Sequence, residues 1–195
     1  MWKLITFALL LVSFEPAKAQ DFPPRSLAAN QQADELKNGW YSRNLEALHE
    51  PAFFKIADDS SKECYRFLWL RSFNHPVSVR LCREGSDKWK LTTKVAAGAA
   101  GFRPGSIILD ESRELYSREV EPFLSRVDTL GFWSAPNPVN DQTGTDGSQW
   151  VIEGVKGGKY YIVDRWSPKD GIARELGWYL VFNLAHLEVT KEDVY

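Results

Sequence analysis

Residues Glu63 to Gly98, ECYRFLWLRSFNHPVSVRLCREGSDKWKLTTKVAAG, decide the architecture. The stretch divides into three strands, Cys64–Arg71, Val77–Arg83 and Lys88–Val95, separated by turn chemistry at Asn74-His75-Pro76 and Glu84-Gly85-Ser86-Asp87. The first pair fixes its own register. With Cys64 opposite Cys82, Tyr65 faces Leu81, Phe67 faces Val79 and Trp69 faces Val77, which sets three aromatic–aliphatic pairs on one side. Glu63 then meets Arg83. A slip of one residue loses the apolar face, the ion pair and the cysteine pair together.

The same register sets Arg66 against Arg80 on the other face, and like charges across a ladder repel. An acidic group must sit between them, either a carboxylate from elsewhere in the chain or a bound anion. The internal carboxylate is the simpler expectation. Cys64 and Cys82 are the only cysteines and are expected to form a disulfide. The close Cys-x-x-Cys spacing of a redox pair is absent.

A second stretch, GTDGSQWVIEGVKGGKYYIVDRWSP from Gly144 to Pro168, is a hairpin around Gly157-Gly158. That turn pairs Val155 with Tyr160, Glu153 with Ile162 and Trp150 with Arg165. Arg165 is therefore expected over the Trp150 ring, a contact worth about 0.5–1 kcal/mol if exposed. Glu153 shares a face with Val151, Val155, Tyr160 and Ile162, and a carboxylate there needs a partner. Two roles compete for it: an acid of raised pKa in catalysis, or an internal counter-ion to Arg66 or Arg80. The counter-ion is favoured, because structural ion-pair networks also place buried carboxylates.

Helical signals flank these strands. Ser26 is a cap for a helix ending near Asn38-Gly39, and Ser42 or Asn44 starts another that stops before Pro51. Their sparse apolar residues make residues 20–60 a peripheral segment. After the glycine-rich 98–105 connection, SIILDE suggests a short strand, and SREVEPFLSRVDTLG a helix capped by Ser117 and stopped by Gly131. Pro122 suits a first turn, which argues for a start nearer Glu121. GIARELGWYLVFNLAHL is a deeply packed helix. Residues 133–149, rich in Pro, Asn, Asp and Gly, form a long loop.

The N-terminus carries a lysine, an apolar run from Leu4 to Phe14, and Ala17-Lys18-Ala19. This is the layout of a cleavable secretory signal, residues 1–19, too short to span a bilayer. The mature chain, residues 20–195, has the length of a single domain. The net charge is −2 for the whole chain and −3 once Lys3, Lys18 and Glu15 are removed. It gives no support to nucleic-acid binding, and no later segment is long enough for stable membrane insertion.

Asp141, Thr143 and Asp146 depart from the EF-hand spacing, and Asp-Gly turn formation accounts for them. His49, His75 and His186 show no metal spacing, and no nucleophile elbow, phosphate loop or dinucleotide fingerprint is present. Neither a metal nor a cofactor is expected.

YRFLWLRSFNHPVSVRL, GFW and DGSQWVIEGVKGGKYYIVDRWSP together resemble a group of uncharacterised secreted bacterial proteins. These share a Tyr-Arg-Phe strand, a Phe-x-x-Pro turn and an Asp-Gly-x-x-Trp-x-x-Glu hairpin ending in Arg-x-x-Pro. The resemblance runs in pieces from Tyr65 to Pro168 and implies a bacterial, periplasmic or secreted protein. It implies no activity.

The sequence thus predicts an α+β fold, an antiparallel sheet of hairpins packed against helices. Its function is expected to be non-enzymatic binding of a protein partner, of the immunity or inhibitor kind, or of a small ligand. Contacts are expected at the 133–149 loop, Trp150, Arg165 and Trp166, with Arg66, Arg80 and Glu153 as a second candidate set. The alternative is a periplasmic hydrolase with Glu153 or Asp146 as acid or base.

Overall fold

The structure is a computed structural model and describes residues 20–138, 144, 146–190 and 193–195. Residues 1–19, read above as a secretory signal, lie with Asp141 and Thr143 outside the described residues.

Helix α1, Gln31–Ala47, precedes four strands: β1 Glu63–Arg71, β2 Val77–Arg83, β3 Lys88–Ala96 and β4 Ile107–Tyr116. Then follow α2, Ser117–Thr129, the hairpin of β5, Ser148–Lys156, and β6, Lys159–Trp166, and finally α3, Gly171–Trp178. All pairings are antiparallel in one six-stranded sheet of order β4-β3-β2-β1-β5-β6, so the fold is α+β. Cys64 faces Cys82 and Trp69 faces Val77. In the hairpin, Trp150 faces Arg165 and Val155 faces Tyr160, while Gly157 and Gly158 both take positive φ, as the two-residue turn requires.

Period-2 alternation gives the sheet two different faces. One carries Tyr65, Phe67, Trp69, Trp89, Trp150 and Ile152 against α2 and α3. Trp150 packs 5.1 Å from both Phe67 and Trp69, centroid to centroid. Helix α3 comes this close because its contact residue is Gly177. A Cβ there would stand 2.8 Å from Phe67 and 2.9 Å from Trp150. The other face carries Leu68, Leu70, Val151 and Ile162 against Phe22, Leu27, Tyr41, Leu45 and Leu48 of the N-terminal segment. Three layers result, with β1 and β5 covered on both sides.

Several elements differ from the sequence reading. Residues 31–47 form one helix rather than two, capped by Asn30, whose side chain accepts from Ala33 N–H. Gly39 sits inside it on the exposed side, where its missing side chain costs no packing. Nor is this helix peripheral, for it buries Tyr41 and Leu45 with Asp34, Asn38 and Asn44. The polar members are satisfied locally: Asp34 accepts from the N–H groups of Arg25, Leu27 and Ala28, and Asn38 donates to the Phe22 carbonyl.

Strand β4 runs through to Tyr116 because the whole of β3 pairs with it. Helix α2 starts at Ser117, and the Glu119 carboxylate accepts from Tyr116 N–H. Pro122 therefore lies inside the helix, where it forgoes one backbone bond. Beyond α3, Tyr179–Leu184 continues as a π-helical turn.

Cys64 and Cys82 are bonded across β1 and β2, which ties together residues 18 positions apart. Reduction should lower the unfolding free energy by about 3 kcal/mol, the chain entropy released by a loop of this size. The check is the denaturant midpoint with and without reductant, and a change below about 1 kcal/mol would refute the estimate. Beside the bridge, Glu63 lies 2.9 Å from both Arg83 and Lys156. Burial pushes its carboxyl upward, but Lys156 and Arg83 outweigh that and hold it below its ordinary value.

Candidate functional site

The register that opposes Arg66 and Arg80 also brings Glu153 beside Arg66, on the face toward α1. Arg66 is wholly buried, and its guanidinium meets the Glu153 carboxylate through Nε at 2.7 Å and Nη2 at 2.5 Å. Its Nη1 donates to the Pro51 carbonyl at 2.7 Å, and the group lies 4.8 Å from the Phe53 ring centre.

The group between the two arginines is Glu50, from the chain following α1. Its Oε2 accepts from Arg80 Nε at 3.1 Å and lies 3.6 Å from Arg66 Nη1, while Oε1 is 3.2 Å from Lys94 Nζ. Lys94 also donates to the His49 carbonyl. Tyr160 completes the set, donating its hydroxyl to Glu153 Oε1 at 2.8 Å.

Burial raises the Glu153 carboxyl above its ordinary value, against the pull of Arg66 and Tyr160. Burial next to Glu153 likewise raises the Tyr160 phenol, which stays a protonated donor. Both Glu153 oxygens are thus engaged, and neither faces an open cleft. The arrangement performs the counter-ion role, with Arg66 and Tyr160 holding the two Glu153 oxygens. It binds the α1 layer to the sheet.

The hairpin residues separate. Trp150 is wholly buried, so it is core and not a contact surface, and the cation over its ring is Arg174 at 4.7 Å. Arg165, although directly across the ladder, turns outward along the sheet edge. It donates to Asn137 Oδ1 and to the Pro136 and Asp164 carbonyls. These three acceptors outcompete a ring already covered from α3. Trp166 is half-buried on the opposite face, beside Gln149. Asp146 is exposed on the approach to β5.

One end of the sheet collects the turns between β1 and β2 and between β3 and β4, the start of β5 and the end of β6. Two features stand out there. The first is an aromatic pair, Phe73 and Phe102, 59% and 62% exposed with ring centres 5.9 Å apart. Their loops are laced together by Ala100 N–H to the Asn74 carbonyl and Gly101 N–H to the Ser72 carbonyl, so the pair is held and not merely trailing. The second is an adjoining groove of about 310 Å³, bordered by Lys37, Trp40 and Arg43 on α1, by Gln149 and Trp166 on the hairpin, and by Ser72 below.

Glu50, Lys94, Lys37, Trp40 and Asp164 escaped the sequence reading. Asp164 carried a signal: it shares the alternation of Tyr160 and Ile162, and so was a carboxylate on an apolar face, like Glu153. Its partners are Lys37 Nζ at 2.9 Å and the Tyr41 hydroxyl at 3.0 Å. Glu50 carried none beyond its place before Pro51.

No protein-family model matches this chain, and no curated protein does. Among the described residues no helix is long and apolar enough to cross a membrane, and no group of three or more His, Cys, Asp or Glu side chains is placed to hold a metal ion.

Proposed function

We propose that this chain is a non-enzymatic binding protein, periplasmic or secreted, that holds a protein partner at the aromatic end of its sheet. The Phe73–Phe102 pair carries the reading. Two phenylalanines, tilted against each other and more than half exposed, on loops braced by backbone bonds, form an apolar projection. Large exposed aromatics on pre-organised loops supply binding energy at low entropic cost. The Cys64–Cys82 bridge is compatible with an oxidising compartment. The engagement of Glu153 with Arg66 and Tyr160 weighs against the hydrolase alternative.

The test is recovery of the partner by cross-linking from the native periplasm, followed by titration of the purified pair. The double variant Phe73→Ala/Phe102→Ala should weaken binding by a hundredfold or more, as expected when two hot-spot side chains at about 1.4 kcal/mol or more each are removed. An affinity unchanged in that variant would overturn the assignment of the surface.

A further inference from the structure

The turn that carries Phe102 is tied down by helix α1. Residues 97–106 extend the β3–β4 hairpin past its strands as a ladder of their own: Ala97 N–H donates to the Ser106 carbonyl, Gly98 N–H to that of Pro104 and Ala99 N–H to that of Arg103. A two-stranded extension of this kind is marginal when braced only from within, and it swings about its base.

The Ala100 peptide supplies the outside brace. Its carbonyl accepts from the Trp40 indole N–H at 2.6 Å and from the Asn44 side-chain amide at 3.2 Å, both on α1. Its N–H donates at 3.1 Å to the Asn74 carbonyl, in the turn that carries Phe73. The helix is itself fixed to the sheet. Lys37 and Tyr41 reach Asp164 of β6 at 2.9 and 3.0 Å, and Glu50, just past the helix end, pairs with Arg80 of β2 and Lys94 of β3. Helix α1 is therefore a strut between the sheet and the Phe102 turn.

Asn44 bears a cost in this arrangement. It is wholly buried, and its Oδ1 accepts no hydrogen bond among the described residues. A leucine fills nearly the same space without that cost, so the amide is useful for its donor, which serves the Ala100 and Trp40 carbonyls. Gly101 then lets the two turns meet. Its N–H donates to the Ser72 carbonyl, and a Cβ there would stand 2.7 Å from that same oxygen.

We propose that Trp40, Asn44 and Gly101 are positioning residues of the partner surface, a role that rests on the Phe73–Phe102 contact proposed above. Acting through Ala100 and Ser72, they hold the two rings at one separation before the partner arrives. A contact ordered in advance spares the entropy of ordering it on binding, so loss of the brace weakens binding while every contacting side chain remains.

The first measurement needs no partner. Backbone order parameters are read by nuclear magnetic resonance at Phe73 and Phe102 and, as a reference, at Leu68 and Ile152 in the central strands, together with proton–proton contacts between the two phenylalanine rings. Trp40→Phe/Asn44→Leu removes both α1 donors and keeps a ring beside Tyr41. It should lower the order parameter at Phe102 from about 0.85 to below about 0.6 and leave Leu68 and Ile152 as they are. A merely structural role would loosen the strands as well. Gly101→Ala alters no residue of α1 and should abolish the ring–ring contacts by wedging the turns apart. In titrations with the partner recovered by cross-linking, both variants should bind about tenfold more weakly.

Unchanged order and ring contacts in both variants would overturn the proposal, and so would loosened turns that bind the partner as tightly as the parent protein. Loosened turns combined with an unchanged affinity in Phe73→Ala/Phe102→Ala would uphold the brace and remove the contact it serves, which separates the two readings.

Discussion

Glu153→Ala should lose about 3–5 kcal/mol of stability, read as a lower urea midpoint at an unchanged slope. The loss comes from what is left behind. Arg66 stays wholly buried but gives up both close contacts with Glu153, and the Tyr160 hydroxyl gives up its acceptor. Glu50 cannot take over, because it stands 3.6 Å from Arg66 and is already shared with Arg80 and Lys94. An uncompensated guanidinium in the interior is the costly outcome, far more than the pair itself is worth.

The double variant Arg66→Met/Glu153→Leu should accordingly recover most of the loss, to within about 2 kcal/mol of the parent protein, since it removes both charges and fills the space with apolar atoms. A single variant that costs less than about 1 kcal/mol, or a double variant worse than the single, would show that the pair is not isolated from water as described.

Trp150→Ala should cost about as much, 3–5 kcal/mol, for a different reason. The indole fills the space between the sheet and α3, in contact with Phe67, Trp69 and Arg174. Its N–H donates to Ser148 Oγ at 2.8 Å and the Tyr195 main-chain oxygen at 3.1 Å. Truncation opens a cavity that α3 cannot close, because Gly177 already sits at contact distance and brings no side chain to fill it. Trp150→Phe should cost less than half as much, and calorimetric midpoints for the two variants test the ordering. If binding is lost in Trp150→Ala but kept in Trp150→Phe, the cause is unfolding rather than a missing contact.

The central strands were legible because their constraints coincide. One register of β1 on β2 satisfies an apolar face, a cysteine pair and an ion pair, and one glycine turn sets β5 on β6. The demand for an acidic group near Arg66 and Arg80 was legible too, as a consequence of like charges in register. Glu50 was not, because it reaches them from an irregular segment whose path no local pattern specifies. Helix α1 was misread for a related reason. Its buried stripe includes Asp34, Asn38 and Asn44, so the apolar periodicity that signals a packed helix is missing.

The groove was the least visible feature. Its walls are held together by Lys37 and Asp164, 127 positions apart, and each lies in an element with its own local reading. The expectation for Trp150 and Arg165 failed where geometry outran register. Residues that face each other across a ladder can still send their side chains to different neighbours.

The two margins of the sheet are guarded by unlike means. Along β6, the Asp164 N–H donates to the Asn137 side chain and Arg165 reaches the Pro136 carbonyl, so another segment of the chain occupies part of that margin. Along β4, protection comes from Asp110, Glu111, Arg113 and Glu114, side chains that oppose the docking of a further strand. Ionic strength acts on the second guard and spares the first. In concentrated salt, self-association into extended sheets should therefore begin at β4 rather than at β6.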